Sequence, residues 1–143
     1  MHLSRFSDYS VRVLMYLALN QDHVVTIANI ADTYKISENH LTKVVHYLGQ
    51  QAYIKTIRGK GGGMRLNKTP AEISLGDLFR KTEGKAGLLP CVNGEGDCCI
   101  MSVCRLIAIL NESQQALYQV FDKYTLADLV ADKSSLSQIL TPS

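Results

Sequence analysis

Apolar residues fall along this chain in five shorter helical stretches, two short strand-like runs and one long helical run, and the polar positions between them mark where each begins. Ser7 is placed to cap a first helix running to about Asn20, with Phe6 and Val11 as its hydrophobic staple. Val11, Leu14, Met15 and Ala18 follow the helical repeat while Val13, Tyr16 and Leu17 fill other faces, so this helix is expected to be buried on most sides and to act as the scaffold. A second start falls at Thr26, with Val25 and Ile30 as staple, and a third at Ser37, with Ile36 and Leu41. The helix Glu38 to Gln50 carries Leu41, Val44, Val45 and Leu48 at i, i+3, i+4 and i+7 on one face. Two short helices joined by the tight YKIS connection predict a helix-turn-helix.

Tyr53 to Arg58 reads as a short strand, RGKGGG as a turn, and Met64 to Asn67 as the returning strand, which together make a β-hairpin wing. Pro70 ends it. Ser74 and Asp77 form a capping box, with Ile73 and Leu78 as staple, for a short helix Leu75 to Thr82. The run from Arg105 onward predicts a helix from about Val103 to Asp122, roughly 30 Å long at 1.5 Å per residue. Its stripe of Leu106, Ile109, Leu110, Ser113, Leu117, Val120 and Phe121 is longer than a small head needs, and the same stripe on a second copy would cover it in a two-fold homodimer. Thr125 and Asp128 cap a last short helix, Leu126 to Ala131, and the tail to Ser143 is expected to fray. The expected fold is mainly α, with a winged helix-turn-helix DNA-binding domain over 1–85, a cysteine-rich loop over 86–104, and a long C-terminal dimerisation helix with its tail over 105–143.

Charge sharpens this picture once it is divided. The chain of 143 residues carries a net +2, but positions 1–68 hold nine Lys/Arg against four Asp/Glu and positions 69–143 hold six against nine. A basic first half suits a polyanion. About 100° per residue places Asn39, Thr42, Lys43, His46 and Gln50 opposite the buried stripe of the third helix, as base-edge and phosphate readers for a major groove. Arg58 and Lys60 flank the glycines of the wing and Arg65 stands in its second strand, where they can neutralise phosphates of double-stranded DNA. The longest apolar run, Val13 to Leu19, is too short to span a membrane.

All four cysteines, Cys91, Cys98, Cys99 and Cys104, lie between Pro90 and Cys104 in a Gly-rich stretch. The N-terminus lacks a secretory signal, which points to a cytoplasmic protein and makes a disulfide the weakest reading. Six residues separate Cys91 from Cys98 and five separate Cys98 from Cys104, wider than structural zinc uses, and His2, His23, His40 and His46 all lie far upstream. A thiol oxidoreductase using Cys98 and Cys99 is disfavoured because no C-x-x-C and no thioredoxin-like pattern accompany them. An iron–sulfur cluster takes thiolates by preference and tolerates such spacing, leaving a fourth ligand that is Cys99 or an oxygen or nitrogen group from elsewhere.

The order FSDYSVRVLMYLA, helix-turn-helix, RGKGGGMRL, cysteine loop ending CRL, and long helix ending YTLADLV resembles the winged-helix repressors that carry iron–sulfur clusters, over nearly the whole chain. FSDY and DKYTLADLV are most similar to the nitric-oxide-sensing branch of that family. The resemblance implies a non-enzymatic repressor of nitrosative-stress genes that carries a 4Fe-4S cluster, with 2Fe-2S as the alternative, and takes nitric oxide as its signal. It also implies that an aspartate in the first helix, here Asp8, reaches the cluster held by the other subunit. Another branch uses a histidine soon after the last cysteine, where this chain has Ile107. The family loop has three cysteines; counting back from CRL favours Cys98 as the middle ligand, with Cys99 as the alternative. A regulator of the same family that reads iron, cluster or redox status is the rival reading.

Overall fold

The computed structural model describes residues 1–140. Its helices are α1 (Arg5–Leu19), α2 (Ile27–Tyr34), α3 (Glu38–Gln50), α4 (Leu75–Glu83), α5 (Arg105–Phe121), α6 (Leu126–Leu129) and α7 (Lys133–Leu140), and its strands are β1 (Ile54–Ile57) and β2 (Gly63–Leu66). The architecture is mainly α, a winged helix-turn-helix followed by a long C-terminal helix, as the hydrophobic pattern implied.

α1 is the centre of the head. Val13, Leu14, Tyr16, Leu17 and Ala18 are all buried, and they pack with Ile30 of α2, Leu41, Val44 and Leu48 of α3, and Met64 of β2. Leu78 of α4 and Leu126 of α6 close the same core. Thr26 caps α2 through a reciprocal box with Asn29, and the tight turn into α3 is made by Lys35 in the left-handed conformation at φ 56°. The short side chains Ser7 and Ser10 are fully buried, the latter donating its hydroxyl to the Phe6 carbonyl at 2.8 Å.

Ser4, not Ser7, caps α1: its hydroxyl accepts the Ser7 amide at 3.1 Å. Ser7 instead points inward, where its hydroxyl donates to the Glu83 carboxylate at the end of α4 and meets the Thr82 hydroxyl at 2.6 Å. Glu83 also accepts the Ser4 amide and hydroxyl, both at 2.8 Å. Burial raises the pKa of Glu83, but the Ser7 and Ser4 hydrogen bonds together hold it below the usual carboxylate range. The expected box at Ser74 is one-sided as well. Ser74 accepts the Asp77 amide at 3.3 Å, while the Asp77 carboxylate takes the Tyr53 hydroxyl at 2.5 Å and pairs with Lys81 at 3.0 Å.

The wing strands pair antiparallel, Ile54 with Leu66, Lys55 with Arg65, Thr56 with Met64 and Ile57 with Gly63. A bridge between Val25 and Met64 ties the hairpin to the chain entering α2, and a side chain on Gly63 would strike the Val25 carbonyl. Beyond the head, α5 attaches to α4 through its C-terminal half. Phe121 packs on Phe79 with ring centroids 4.7 Å apart, and Asp122 accepts both Arg80 nitrogens at 2.5 and 2.7 Å. Gly76 makes this approach feasible, because a Cβ there would collide with Asp122. The rest of the α5 stripe stays open, with Leu106, Ile109 and Val120 exposed.

The chain then returns to the head: Leu126 donates to the Ile73 carbonyl at 2.9 Å and Leu75 to the Tyr124 carbonyl at 3.0 Å. The expectation of a frayed tail is corrected for 133–140, which form α7 with Leu140 buried and Leu136 packed against the core. Residues 141–143 of that tail lie outside the described residues.

Replacing Glu83 by alanine removes the acceptor of three hydrogen bonds from Ser4 and Ser7 and leaves the fully buried Ser7 hydroxyl to Thr82, and urea unfolding should show a loss of about 1–3 kcal/mol. Because Glu83 has its pKa lowered by folding, its stabilisation is complete above the ordinary carboxylate range and fades as the pH falls through its depressed value. Wild type and Glu83→Gln should therefore converge in stability on acidification, and a gap that widens would contradict this assignment.

Candidate nucleic-acid interface and cysteine loop

Burial of Leu41, Val44, Val45 and Leu48 against α1 leaves the opposite side of α3 to solvent. Asn39, Thr42, Lys43, His46 and Gln50 are all exposed there, as the helical arithmetic required. They do not form one uniform surface. Thr42, His46 and Gln50 line a groove of about 550 Å³ with Lys55 and Thr56 of β1, so the recognition helix and the wing share a wall. Lys43 lies on the other flank, lining a smaller cleft of about 170 Å³ with Arg5, Phe6, Tyr9, His40 and Val44. The Thr42 hydroxyl is partly committed, donating to the Glu38 carbonyl at 2.8 Å.

Arg58 and Lys60 are exposed at the tip of the wing, where Gly59 and Gly61 take φ of 97° and 75° and the Gly62 amide closes on the Gly59 carbonyl at 3.0 Å. A side chain on Gly62 would strike the Ile57 and Gly59 carbonyls. Arg65 is half-buried at the base of the wing and faces Lys55 across the ladder. Lys55 and Thr56 were not singled out from sequence. The strand alternation that aims Lys55 beside Arg65 was the available signal, and it needed the register to be read.

The cysteine loop begins with a short 3-10 turn, Pro90–Asn93, that packs against α5, and it turns at Gly94 and Gly96 with φ of 76° and 99°. Cys91 lies in that turn and is half-buried; Cys98 and Cys99 are exposed; Cys104 is the half-buried N-cap residue of α5. All four thiols are free of disulfides. Cys104 makes no side-chain capping bond, so the first amides of α5 remain available beside it, and this positive end of a helix favours an anionic group.

Asp8 stands in the first turn of α1, exposed, and pairs with Arg12 at 3.0 Å. Arg12 in turn lies over the Tyr34 ring, 5.6 Å from its centroid. Among the described residues no group of three or more His, Cys, Asp or Glu side chains could hold one metal ion, so a single chain does not assemble Asp8 with the cysteines into a closed single-ion site. The neighbours of Asp8 are more telling. Phe6 packs edge-on to Tyr47 with centroids 5.3 Å apart, and Tyr9 lies 6.3 Å from His40, so both flanks of Asp8 rest on α3. Sequence analysis did not single out Phe6 and Tyr9 for this contact, nor Glu83 for its hold on Ser4 and Ser7.

A recognition helix with a polar outer face, a basic glycine wing beside it and an apolar helix extending from the head define a winged helix-turn-helix transcriptional regulator. The chain belongs to the Rrf2 family, described as iron-dependent transcriptional regulators, whose family model matches residues 3–132. It is 43% identical over 143 residues to the HTH-type transcriptional regulator NsrR of Bacillus licheniformis, covering 99% of this chain and 100% of that one. It is 44% identical over 142 residues to the regulator of the same name from Bacillus subtilis, covering 98% and 97%. Among solved structures it is similar to CymR, the global cysteine regulator of B. subtilis, with a TM-score of 0.69 and 28% identity over 92% of this chain and 97% of that one.

Two classes of substitution should separate on duplex DNA. Asn39→Ala and His46→Ala, on the face of α3, should lower the ratio of operator to scrambled-duplex affinity, at about 1–3 kcal/mol for each well-made base contact. Arg58→Ala and Lys60→Ala should weaken both duplexes alike and flatten the salt dependence. Fluorescence anisotropy over a salt series measures both quantities.

Proposed function

We propose that the protein is a homodimeric repressor that holds double-stranded operator DNA through α3 and the wing, and that nitric oxide, sensed at an iron–sulfur cluster, releases it. The observation that carries this reading is the loop itself: four free thiols in a glycine-rich segment that runs directly into the N-terminus of α5. The donor set fits a cluster. Thiolates are its preferred ligands, and the helix end beside Cys104 suits a cluster whose thiolate ligands give it negative charge. The curated relatives named NsrR, at 43% and 44% identity, support the signal, which the resemblance to nitric-oxide-sensing repressors also implies.

In this reading Cys91, Cys98 and Cys104 hold the cluster, with Cys99 as the alternative middle ligand, and Asp8 of a second copy is the fourth ligand. The nuclearity is 4Fe-4S, with 2Fe-2S as the alternative. When bound, the cluster supplies iron, the element to which nitric oxide binds. The chain supplies the transmission. Asp8 is flanked by Phe6 and Tyr9, which rest on Tyr47 and His40 of α3, so holding or freeing the first turn of α1 alters the seat of the recognition helix. Glu83 keeps the other side of that turn fixed to α4, which leads into the cysteine loop. Leu106, Ile109 and Val120 on α5 are the surface for the second copy, since a contiguous exposed apolar stripe of this kind marks a partner. The division of the chain into a head at 1–85, a loop at 86–104 and a dimer segment at 105–143 belongs to the same proposal. So do a cytoplasmic location and control of nitrosative-stress genes. Among the described residues no helix is long and apolar enough to cross a membrane.

Protein purified without oxygen should be coloured, and titration with nitric oxide should change its visible spectrum in step with loss of operator binding. Cys91→Ala should remove both the colour and the specific binding. Asp8→Ala should keep iron and sulfide but shift the spectrum and lose sensitivity to nitric oxide. Operator binding that ignores nitric oxide but follows iron chelation would favour the family's iron-status alternative. Independently, Leu106→Glu with Ile109→Glu should give a monomer by sedimentation equilibrium while circular dichroism shows the head intact; a persisting dimer would place the interface elsewhere.

A further inference from the structure

The base of the wing carries an uncompensated pair of cations. Lys55 of β1 and Arg65 of β2 stand directly opposite each other in the ladder, an arrangement that like charges destabilise. Neither side chain enters an ion pair or hydrogen bond among the described residues, and the Nε of Arg65 is a buried donor with no partner. A buried donor left unmade costs stability, so its retention calls for an acceptor from outside the chain.

The surroundings define that acceptor. Lys55 and Arg65 line a cavity of about 320 Å³ with Gln21, Asn67, Lys68 and Glu72. Glu72 is engaged on its own turn, accepting the Thr69 amide at 2.8 Å and hydroxyl at 2.9 Å, and those bonds hold its carboxyl below the usual range. Asp22 is near enough to feel Arg65, but its carboxylate is taken by His23 at 2.8 Å. Lys68 leans over the Tyr53 ring, 5.0 Å from its centroid, and enters no salt bridge among the described residues. The site therefore offers three cations, one of them a guanidinium with its Nε unpartnered, which suits a tetrahedral oxyanion accepting from N–H donors. Lys55 also borders the groove lined by Thr42, His46 and Gln50 of α3, while strand alternation turns Lys55 and Arg65 to the face of the hairpin opposite Ile54 and Thr56.

We propose that Lys55 and Arg65, with Lys68 at the rim, grip a phosphodiester of the DNA backbone from the outer face of the wing, a contact separate from the glycine tip. The proposal rests on the DNA-binding reading above and extends its footprint from the tip of the wing to its base. Such a contact orients the head on the duplex and carries no sequence information of its own.

The test uses full-length protein purified without oxygen, with operator and scrambled duplexes followed by anisotropy over a salt series. Lys55→Ala and Arg65→Ala should each weaken both duplexes by the same factor, leaving their ratio unchanged, and each should reduce the slope of log affinity against log salt by about 0.9. Should Arg65→Ala fold poorly by circular dichroism, Lys55→Ala alone decides. Unchanged slopes in variants of a wild type that binds operator overturn the phosphate contact and leave the DNA-binding reading intact; a wild type that binds no duplex overturns both. Inorganic phosphate displacing DNA far better than sulfate at equal ionic strength, an advantage lost in Lys55→Ala, would show a free-anion site instead and overturn the backbone contact.

Discussion

The structure depends on the burial of α1. Val13, Leu14 and Leu17 are almost wholly excluded from water, and the helix is packed by α3, α4, β2, α6 and α7. A helix enclosed on so many sides has little room to adjust by itself, because interiors are close-packed and transmit displacement. One side of its N-terminal turn is open. There Asp8 and Arg12 face solvent while Phe6 and Tyr9 lean on the recognition helix. The proposed fourth ligand thus stands on the open side of a turn whose other side is held to α4 by Glu83 and whose aromatic residues touch the reading helix, so a pull on Asp8 acts on that contact.

Much of this was legible because it is local. Leu41, Val44, Val45 and Leu48 state the inner face of α3 by period alone, and the glycines between Arg58 and Met64 state the wing. What escaped reading involves partners distant in sequence. Ser7 looked like a cap, but its hydroxyl answers to Glu83, 76 residues away, and Ser4 took the capping role. α7 was missed because it is only eight residues long and its order comes from Leu136 and Leu140 seated near the core. The cysteines announced themselves as a motif, whereas Asp8 was reached only through resemblance, and Lys55 became visible only when the register set it against Arg65.

The attachment of α5 explains how one chain can combine a firm head with an open apolar helix. Phe79 and Phe121 stack where Gly76 lets Asp122 meet Arg80, so the C-terminal half of α5 is fixed. The N-terminal half, which begins at Cys104, leaves Leu106 and Ile109 exposed. The cysteine loop therefore joins a helix whose base is anchored to its own head and whose face is free for another chain. In the proposed dimer that geometry puts the cluster ligands beside the interface, where a residue of the second copy can reach them.

Two carboxylates lie near the start of α1, and their different environments assign them different tasks. Glu83 is held by three hydrogen bonds from Ser4 and Ser7 in a partly buried setting, so removing it breaks three bonds that join the start of α1 to α4. Asp8 has one exposed partner, Arg12, four residues along the same helix. Exposed pairs at that spacing contribute only about 0.3–0.5 kcal/mol, and Arg12 has a second contact in the Tyr34 ring, 5.6 Å from its centroid. Drawing Asp8 toward another cation therefore costs little, whereas drawing Glu83 away would loosen the junction of α1 with α4. A carboxylate that is cheaply released, in the same turn as two aromatic rings that touch the recognition helix, is the physical basis for assigning Asp8 the switching role and Glu83 the fixed one.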